Sequence, residues 1–217
     1  MSDSGVQIRL AQDEDQEAIN TSYLQQFLRD EPTNIYLKDY NPAGIQVSDH
    51  APNFGLTLIA EVVDSENRKK MVGFLICKIC ERTAVTEFNT WIHEDNRAGY
   101  EISRLLKLVD SRFDVFQMYD VQTAIDMLVL CTVPEYRGRS IGFRLCGRAI
   151  DLARERGCEV IFMDCSSSYS AAIARKLGMQ CVGEISYEDY QKELGEKLFD
   201  VDAVHTHIRR FVKVLNK

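Results

Sequence analysis

The sequence predicts a mixed α/β fold of α+β type: one domain over residues 1–217, with a central twisted mixed sheet flanked by helices. Three observations carry this. Strand hairpins come early in the 217-residue chain and strand–helix units later. No Pro/Gly/Ser linker separates the two halves. The chain is 45% apolar with only 12 Gly and 4 Pro, a globular rather than fibrous or disordered composition. At this length roughly 70% of the unfolded surface is buried, enough for a core without disulfide or metal staples.

Val6-Gln7-Ile8-Arg9-Leu10 alternates as a first strand does. Asp13 then reads as the N-cap of a helix running to about Arg29, with Glu14 and Glu17 near its positive end. Pro32 breaks that helix by restricting Glu31. Tyr36 to Phe54, with Pro42, Gly44 and Pro52, reads as an irregular loop. Leu56 to Val63 and Met71 to Cys80 read as two strands joined by a turn at 64–68. Arg97 to Phe113 has the apolar spacing of a helix, and Ala124 to Val133 is a strongly apolar strand interrupted by Asp126. A Gly-containing turn at Arg137 to Gly142 leads into a helix ending near Arg156, with Gly157 as C′ residue. There follow a strand at Val160 to Met163, a helix from Ser167 to Leu177 closed by Gly178, a strand at Cys181 to Tyr187, and a last strand at Ile208 to Leu215.

Charge and cysteine usage narrow the function classes. With 33 acidic and 26 basic residues the net charge is −7, which argues against a general nucleic-acid binder. No uncharged apolar run approaches the ~18 residues of a membrane span. Met1 to Gly5 has no basic segment followed by an apolar stretch, so no secretory signal is expected. The seven cysteines, an odd number lying largely in apolar segments, read as buried free thiols of a reducing compartment, which predicts a cytoplasmic location. Cys77 and Cys80 have redox spacing, yet on a strand they point to opposite faces.

The chemistry concentrates in Leu130-Cys131-Thr132-Val133-Pro134-Glu135-Tyr136-Arg137-Gly138-Arg139-Ser140-Ile141-Gly142. A strand, a turn with two glycines and a helix start bring backbone N–H groups together on an anion. Arg137 to Arg148 holds four arginines and no acid, a polyanion site in an acidic chain. It lacks both the three glycines of the dinucleotide fingerprint and the Gly-Lys-Ser/Thr of a P-loop.

Arg137-Gly138-Arg139-Ser140-Ile141-Gly142 behind Thr132-Val133-Pro134 resembles the acetyl-CoA pyrophosphate loop of the GNAT acetyltransferases, with Ser140 where that family often has Gly. Phe27-Leu28-Arg29-Asp30-Glu31-Pro32 resembles the Asp-Glu-Pro motif of the insect arylalkylamine N-acetyltransferases, here followed by Thr33 where Leu is usual. Cys165-Ser166-Ser167-Ser168-Tyr169-Ser170 resembles their serine-rich segment. The resemblance implies a GNAT fold and direct transfer of acetyl from acetyl-CoA to the primary amine of an arylalkylamine, with no metal. Glu31 is then the general base, and Ser166 and Ser170 the catalytic serines. Backbone groups of Leu130, Cys131 and Thr132 would hold the pantetheine arm. Arg137, Gly138, Arg139, Ser140, Ile141 and Gly142 would hold the pyrophosphate. The usual thiolate-protonating Tyr position carries Ala174.

Several residues keep two readings. Glu31 by position alone is a solvated loop acid or a side chain fixed over a cleft. Asp126 binds the substrate ammonium or relays its proton, or is a buried Asp satisfied by backbone or an Arg. Strand alternation places it on one face with Leu128 and Leu130. Ser166 and Ser170 share a helical face, or Ser166 or Ser167 is simply an N-cap. Tyr169 is a rival acid. His50, His93, His205 and His207 show no metal or triad spacing, although His205 and His207 would share a strand face. Trp91, Phe88 and the 97–113 helix either line the amine site or fill the core. The expected partners are a small-molecule amine, no nucleic acid and no membrane, with a monomeric state. A polyamine or longer acyl-CoA enzyme, or a non-catalytic acyl-CoA-binding protein, are the alternatives.

Overall fold

A computed structural model describes residues 5–37, 55–64, 66–82 and 97–215. Seven strands form one sheet: β1 (Val6–Leu10), β2 (Leu58–Val63), β3 (Lys69–Glu81), β4 (Thr123–Thr132), β5 (Val160–Cys165), β6 (Gln180–Ser186) and β7 (His207–Val214). Their order is β1-β2-β3-β4-β5-β7-β6. Every neighbouring pair is antiparallel except β4 and β5, which run parallel. This is the mixed α/β architecture that the segment order predicts.

The first helical stretch departs from expectation. A 3₁₀ turn over Asp13–Asp15 precedes α1 (Gln16–Ser22). Asp15, not Asp13, does the capping: its carboxylate accepts the Gln12 N–H at 2.8 Å and pairs with Arg9. The helix then widens into a π turn over Tyr23–Phe27 and finishes with Leu28–Asp30. At Glu31 the backbone turns extended, and Pro32 opens α2 (Pro32–Ile35). The expected loop from Tyr36 to Phe54 lies outside the described residues except for Tyr36 and Leu37, as do Phe88, Trp91, His50 and His93.

The remaining helices are α3 (Arg97–Arg112), α4 (Val115–Tyr119), α5 (Ile141–Glu155), α6 (Ser168–Lys176) and α7 (Tyr187–Leu194). Two of them are not anticipated. Asp114 caps α4 by accepting the Phe116 N–H at 2.8 Å. Ser186 caps α7, so the predicted strand at Cys181 to Tyr187 stops one residue early and Tyr187 begins a helix.

Helices cover both faces. On one, α5 and α6 set Ile141, Leu145, Ala149, Ala171 and Ala174 against Leu75, Ile125, Met127, Ile161 and Met163. On the other, α1 and the π turn set Ile19, Tyr23 and Leu28 over Ile59, Phe74, Ile76 and Val129. Further along that face α3 and α7 set Leu105, Val109 and Tyr190 against Ile185 and Ile208.

Cys77 sits in the α5-side core while Cys80 lies near Asp126 on the opposite face, as alternation requires. Within β4 alternation fails at one place. Ile76 pairs with Val129 but Cys77 with Met127, so Leu128 is an extra residue in β4, a β-bulge. Ile125 and Met127 face α5, whereas Val129 and Cys131 face the π turn. Asp126 therefore shares its face with Val129 and Cys131. Leu130 lies on the other side, against Gly142.

Candidate active site

The bulge coincides with a parting of strands. The β4–β5 ladder runs only from Ala124↔Val160 to Asp126↔Phe162, although β4 continues to Thr132 and β5 to Cys165. Beyond Asp126 the two strands diverge, and backbone groups of Leu130, Cys131 and Thr132 line that opening. β4 stays bound to β3 on its other edge, through Gly73↔Thr132.

At the top of the opening stands the start of α5. The first N–H groups of a helix have no intrahelical acceptor, and here they belong to Ile141, Gly142 and Phe143. Gly138 has φ +75° and open space at its Cβ position, so the turn before them requires glycine. Gly142 is needed for contact: a Cβ there would meet Ile173 Cδ1 at 3.0 Å and Leu130 Cδ2 at 3.4 Å. Ser140, in the Gly-rich position, is itself left-handed with φ 59°. A non-glycine residue there costs about 1–2 kcal/mol. Ser140→Gly is therefore expected to raise the urea unfolding midpoint; a lowered midpoint would show instead that the hydroxyl holds the turn.

The four arginines do not act as one patch. Arg137 donates to Thr132 O at 3.1 Å and forms an ion pair with Asp30, while Arg139 lies over the Tyr136 ring at 4.9 Å. Arg144 donates to Val6 O at 2.8 Å, and Arg148 pairs with Glu155 at 2.7 Å. Only Arg137 and Arg139 belong to the turn. The other two lie along α5 and tie the helix to its surroundings, because α-helical periodicity carries them away from its N-terminus.

The break at Glu31 sends two consecutive acids in opposite directions. Asp30 reaches Arg137, 107 positions on. Glu31 turns into the protein, a half-buried residue whose carboxylate is enclosed. It accepts from Thr33 Oγ1 at 3.0 Å, caps α2 through Thr33 N–H at 3.5 Å, and accepts from the Ser166 hydroxyl. Burial pushes the Glu31 carboxyl above its ordinary value, and these donors only partly offset that.

Ser166 and Ser170 do not share a helical face. Ser166 precedes α6, and Ser167 is the N-cap, accepting the Ser170 N–H at 3.0 Å. Ser170 Oγ turns back to Ser167, 3.0 Å from its carbonyl and 2.9 Å from its hydroxyl, and toward the buried Cys165 thiol. Ser166 is thus brought to Glu31 and Ser170 is not.

Two further groups close around this pair. Tyr187, fully buried at the start of α7, donates its hydroxyl to Ser166 O at 3.2 Å, and both burial and the nearby Glu31 charge hold its phenol protonated. His205 is not on β7 but in the loop before it. Its Nδ1 accepts the Ser168 N–H at 3.1 Å, so the neutral ring carries its proton on Nε2. The ring meets Tyr169 edge-on at 5.2 Å. Tyr169 itself is 71% exposed. Nothing local in the sequence distinguishes Tyr187 or His205. The only available signal is the Ser186–Asp189 spacing that starts α7.

Asp126 is placed apart from Glu31. It is level with Phe162, four residues before Ser166, a separation of about 13 Å along a strand. Among the described residues no group of three or more His, Cys, Asp or Glu is arranged to hold a metal. No described helix is long and apolar enough to cross a membrane.

The same architecture recurs in solved structures. A mosquito arylalkylamine N-acetyltransferase like 5b is 27% identical, with 97% of this chain and 100% of that one covered at a TM-score of 0.82. Arylalkylamine N-acetyltransferase 2 from Aedes aegypti (22% identity, 97% and 99% covered, TM-score 0.83) and a Drosophila melanogaster polyamine N-acetyltransferase (22%, 97% and 100%, TM-score 0.80) share the fold. The model of the acetyltransferase (GNAT) family matches residues 17–179, from the first helix to the residue before β6. A strand pair that parts beside a glycine turn and a helix start thus has a family: the chain is an acyltransferase that belongs to the GNAT acetyltransferases.

Proposed function

We propose that the chain transfers the acetyl group of acetyl-CoA to the primary amine of a small molecule, an arylalkylamine in the first reading, by direct attack in a ternary complex. The observation that carries this is the Glu31 carboxylate, enclosed and held by Thr33 and Ser166 beside the opening between β4 and β5. An ammonium has no lone pair, so a base must take its proton before attack, directly or through a water. Glu31 does so. Its raised pKa makes it a better acceptor near neutrality than an ordinary glutamate.

The N–H groups at the start of α5, with Gly138, Arg137 and Arg139, hold the pyrophosphate, and the free edge of β4 from Leu130 to Thr132 pairs with the pantetheine arm. A strand N–H aimed at the thioester oxygen stabilises the oxyanion. Ser166 orients Glu31, and Ser170 acts through Ser167. Asp30, by pairing with Arg137, joins the base segment to the pyrophosphate turn.

Two-substrate initial rates with tryptamine test the route. Intersecting double-reciprocal lines are expected, and parallel lines would replace direct transfer by an acetylated enzyme. Raised ionic strength is expected to increase the apparent KM for acetyl-CoA, because Arg137 and Arg139 are solvent-accessible charges. A salt-independent KM would remove them from the phosphate site. Thr33→Val removes a donor that favours ionised Glu31, so the acid limb of the pH–rate profile is expected to move to higher pH. An unmoved limb would show that Thr33 has no part in tuning Glu31.

A further inference from the structure

Ser166 is the serine that reaches the base, and no element of secondary structure holds its carbonyl. The β5–β7 ladder ends at Cys165↔Arg209, and α6 starts at Ser168 with Ser167 as its N-cap. Ser166 therefore lies in a two-residue connection between strand and helix. Among the described residues no backbone N–H donates to its carbonyl. A side chain does: the Tyr187 hydroxyl, at 3.2 Å. The Ser166 hydroxyl donates to Glu31.

Tyr187 is built to keep one position. It is the first residue of α7, directly after the Ser186 cap, and its N–H donates to Thr206 O at 3.1 Å. The side chain is fully buried, with the Phe199 ring centroid at 5.4 Å and the Tyr36 ring edge-on at 6.3 Å. A phenol enclosed in this way cannot turn out to water, so its hydroxyl needs an acceptor within the protein. It meets one 21 positions back in the chain. A phenylalanine would pack against the same rings; what the tyrosine adds is one contact, and that contact falls on Ser166.

We infer that Tyr187 is a positioning residue for amine acetylation: its hydroxyl fixes the Ser166 peptide group and thereby keeps the Ser166 hydroxyl on the Glu31 carboxylate. The Ser166 Cα, its carbonyl and the next N–H lie in one plane. A rigid donor on that carbonyl sets the orientation of the plane, and so limits the swing of the side chain it carries. The groups that face Glu31 are Thr33 on its own segment, Ser166, His205 and Tyr187. Burial and the Glu31 charge keep Tyr187 protonated, so it acts on the base through Ser166 and not as a charge. This inference rests on the reading of Glu31 as the base.

The test is a double-substitution cycle over wild type, Tyr187→Phe, Ser166→Ala and the pair, with two readouts. One is the titration midpoint of the Glu31 carboxyl, followed by carbon NMR of glutamate-labelled protein, its signal identified by its absence from Glu31→Gln. The other is kcat with tryptamine, read above the acid limb of the pH–rate profile. The Ser166 donor favours ionised Glu31, so disturbing it raises the midpoint. Tyr187→Phe is expected to raise that midpoint by about half a unit, the scale of a partly lost hydrogen bond. It is expected to lower kcat by about tenfold through misplacement of the base, with acetyl-CoA affinity unchanged. In the Ser166→Ala background the same substitution is expected to change neither readout. An unmoved midpoint in Tyr187→Phe would overturn the inference. So would an equal effect of Tyr187→Phe with and without the Ser166 hydroxyl, because a ring that only packs acts regardless of Ser166. If no amine releases thiol from the wild type, the acetylation reading fails by itself, and the titration still decides whether Tyr187 acts on Glu31 through Ser166.

Discussion

Glu31→Gln is expected to lower kcat by about two to four orders of magnitude, the range for removing a positioned general base. The affinity for acetyl-CoA should stay near wild type. The amide keeps the shape of the carboxylate and an oxygen to accept from Thr33 and Ser166, so α2 and its attachment persist. It cannot take a proton. In wild type the base works only when ionised, and burial holds its pKa above the ordinary value. Activity therefore falls as pH drops through that raised pKa, at a higher pH than for an unperturbed glutamate, and this acid limb should be absent from the residual activity of the variant. Turnover and affinity are read from thiol release and calorimetric titration. Unchanged turnover would remove Glu31 from the chemistry.

The second large effect concerns stability. Buried Arg210 of β7 lies 2.6 Å from both Asp164 of β5 and Asp110 of α3. Arg210→Met is expected to cost about 3–5 kcal/mol at neutral pH, the scale for breaking a buried ion pair by removing one partner. The methionine fills much of the volume but leaves Asp164 and Asp110 facing each other and Asp126 without a counter-charge. Even with Arg210 present, burial holds the Asp110 carboxyl at about 6, with the guanidinium only partly offsetting it. Burial raises the Asp126 carboxyl too, and without the guanidinium the folded-state pKa values of Asp110 and Asp126 rise further above their unfolded ones. The penalty is then fully present above those raised values and shrinks as pH falls and the carboxylates protonate. Urea unfolding at pH 7 and pH 5 reads this. A loss under about 1 kcal/mol, or one that grows on acidification, would mean that Arg210 is not the counter-charge of the group.

The elements that were legible in the sequence are those whose signals are local. The turn at Arg137 to Gly142 announces itself by its glycines, and Gly157 and Gly178 adopt the left-handed conformation expected after their helices. Ser167 as N-cap was one of two positions that chemistry allowed. What escaped depends on partners distant in the chain. The β4 run from Met127 to Cys131 is apolar on both faces, so an extra residue at Leu128 leaves no trace in its pattern; only pairing with β3 reveals it. Four clustered arginines look like one anion site until Val6 and Glu155 claim two of them. Thr33, a departure from the motif that Glu31 belongs to, supplies a hydroxyl to the very carboxylate it follows. His205 resembled a strand residue because its spacing to His207 is two, yet β7 begins only at His207.

The acid pair at 30–31 was legible as a motif, but its division of labour was not. Direction is set by the break at Glu31, where the helix that carries Asp30 ends and the backbone turns extended before Pro32. A continuous helix would rotate the two side chains by only about 100°. The chain reversal instead faces one toward the pyrophosphate turn and the other toward Ser166.

Thiol release from acetyl-CoA, followed at neutral pH with tryptamine, phenethylamine, agmatine and spermidine, decides whether Glu31 and the parted strands form an amine acetyltransferase site. Amine-dependent release of one thiol per acetylated amine is expected, abolished or nearly so in Glu31→Gln. Binding of CoA by the wild-type chain with no thiol release for any of these amines would contradict that reading, and would make the glycine turn and the parted strands a binding site without a reaction.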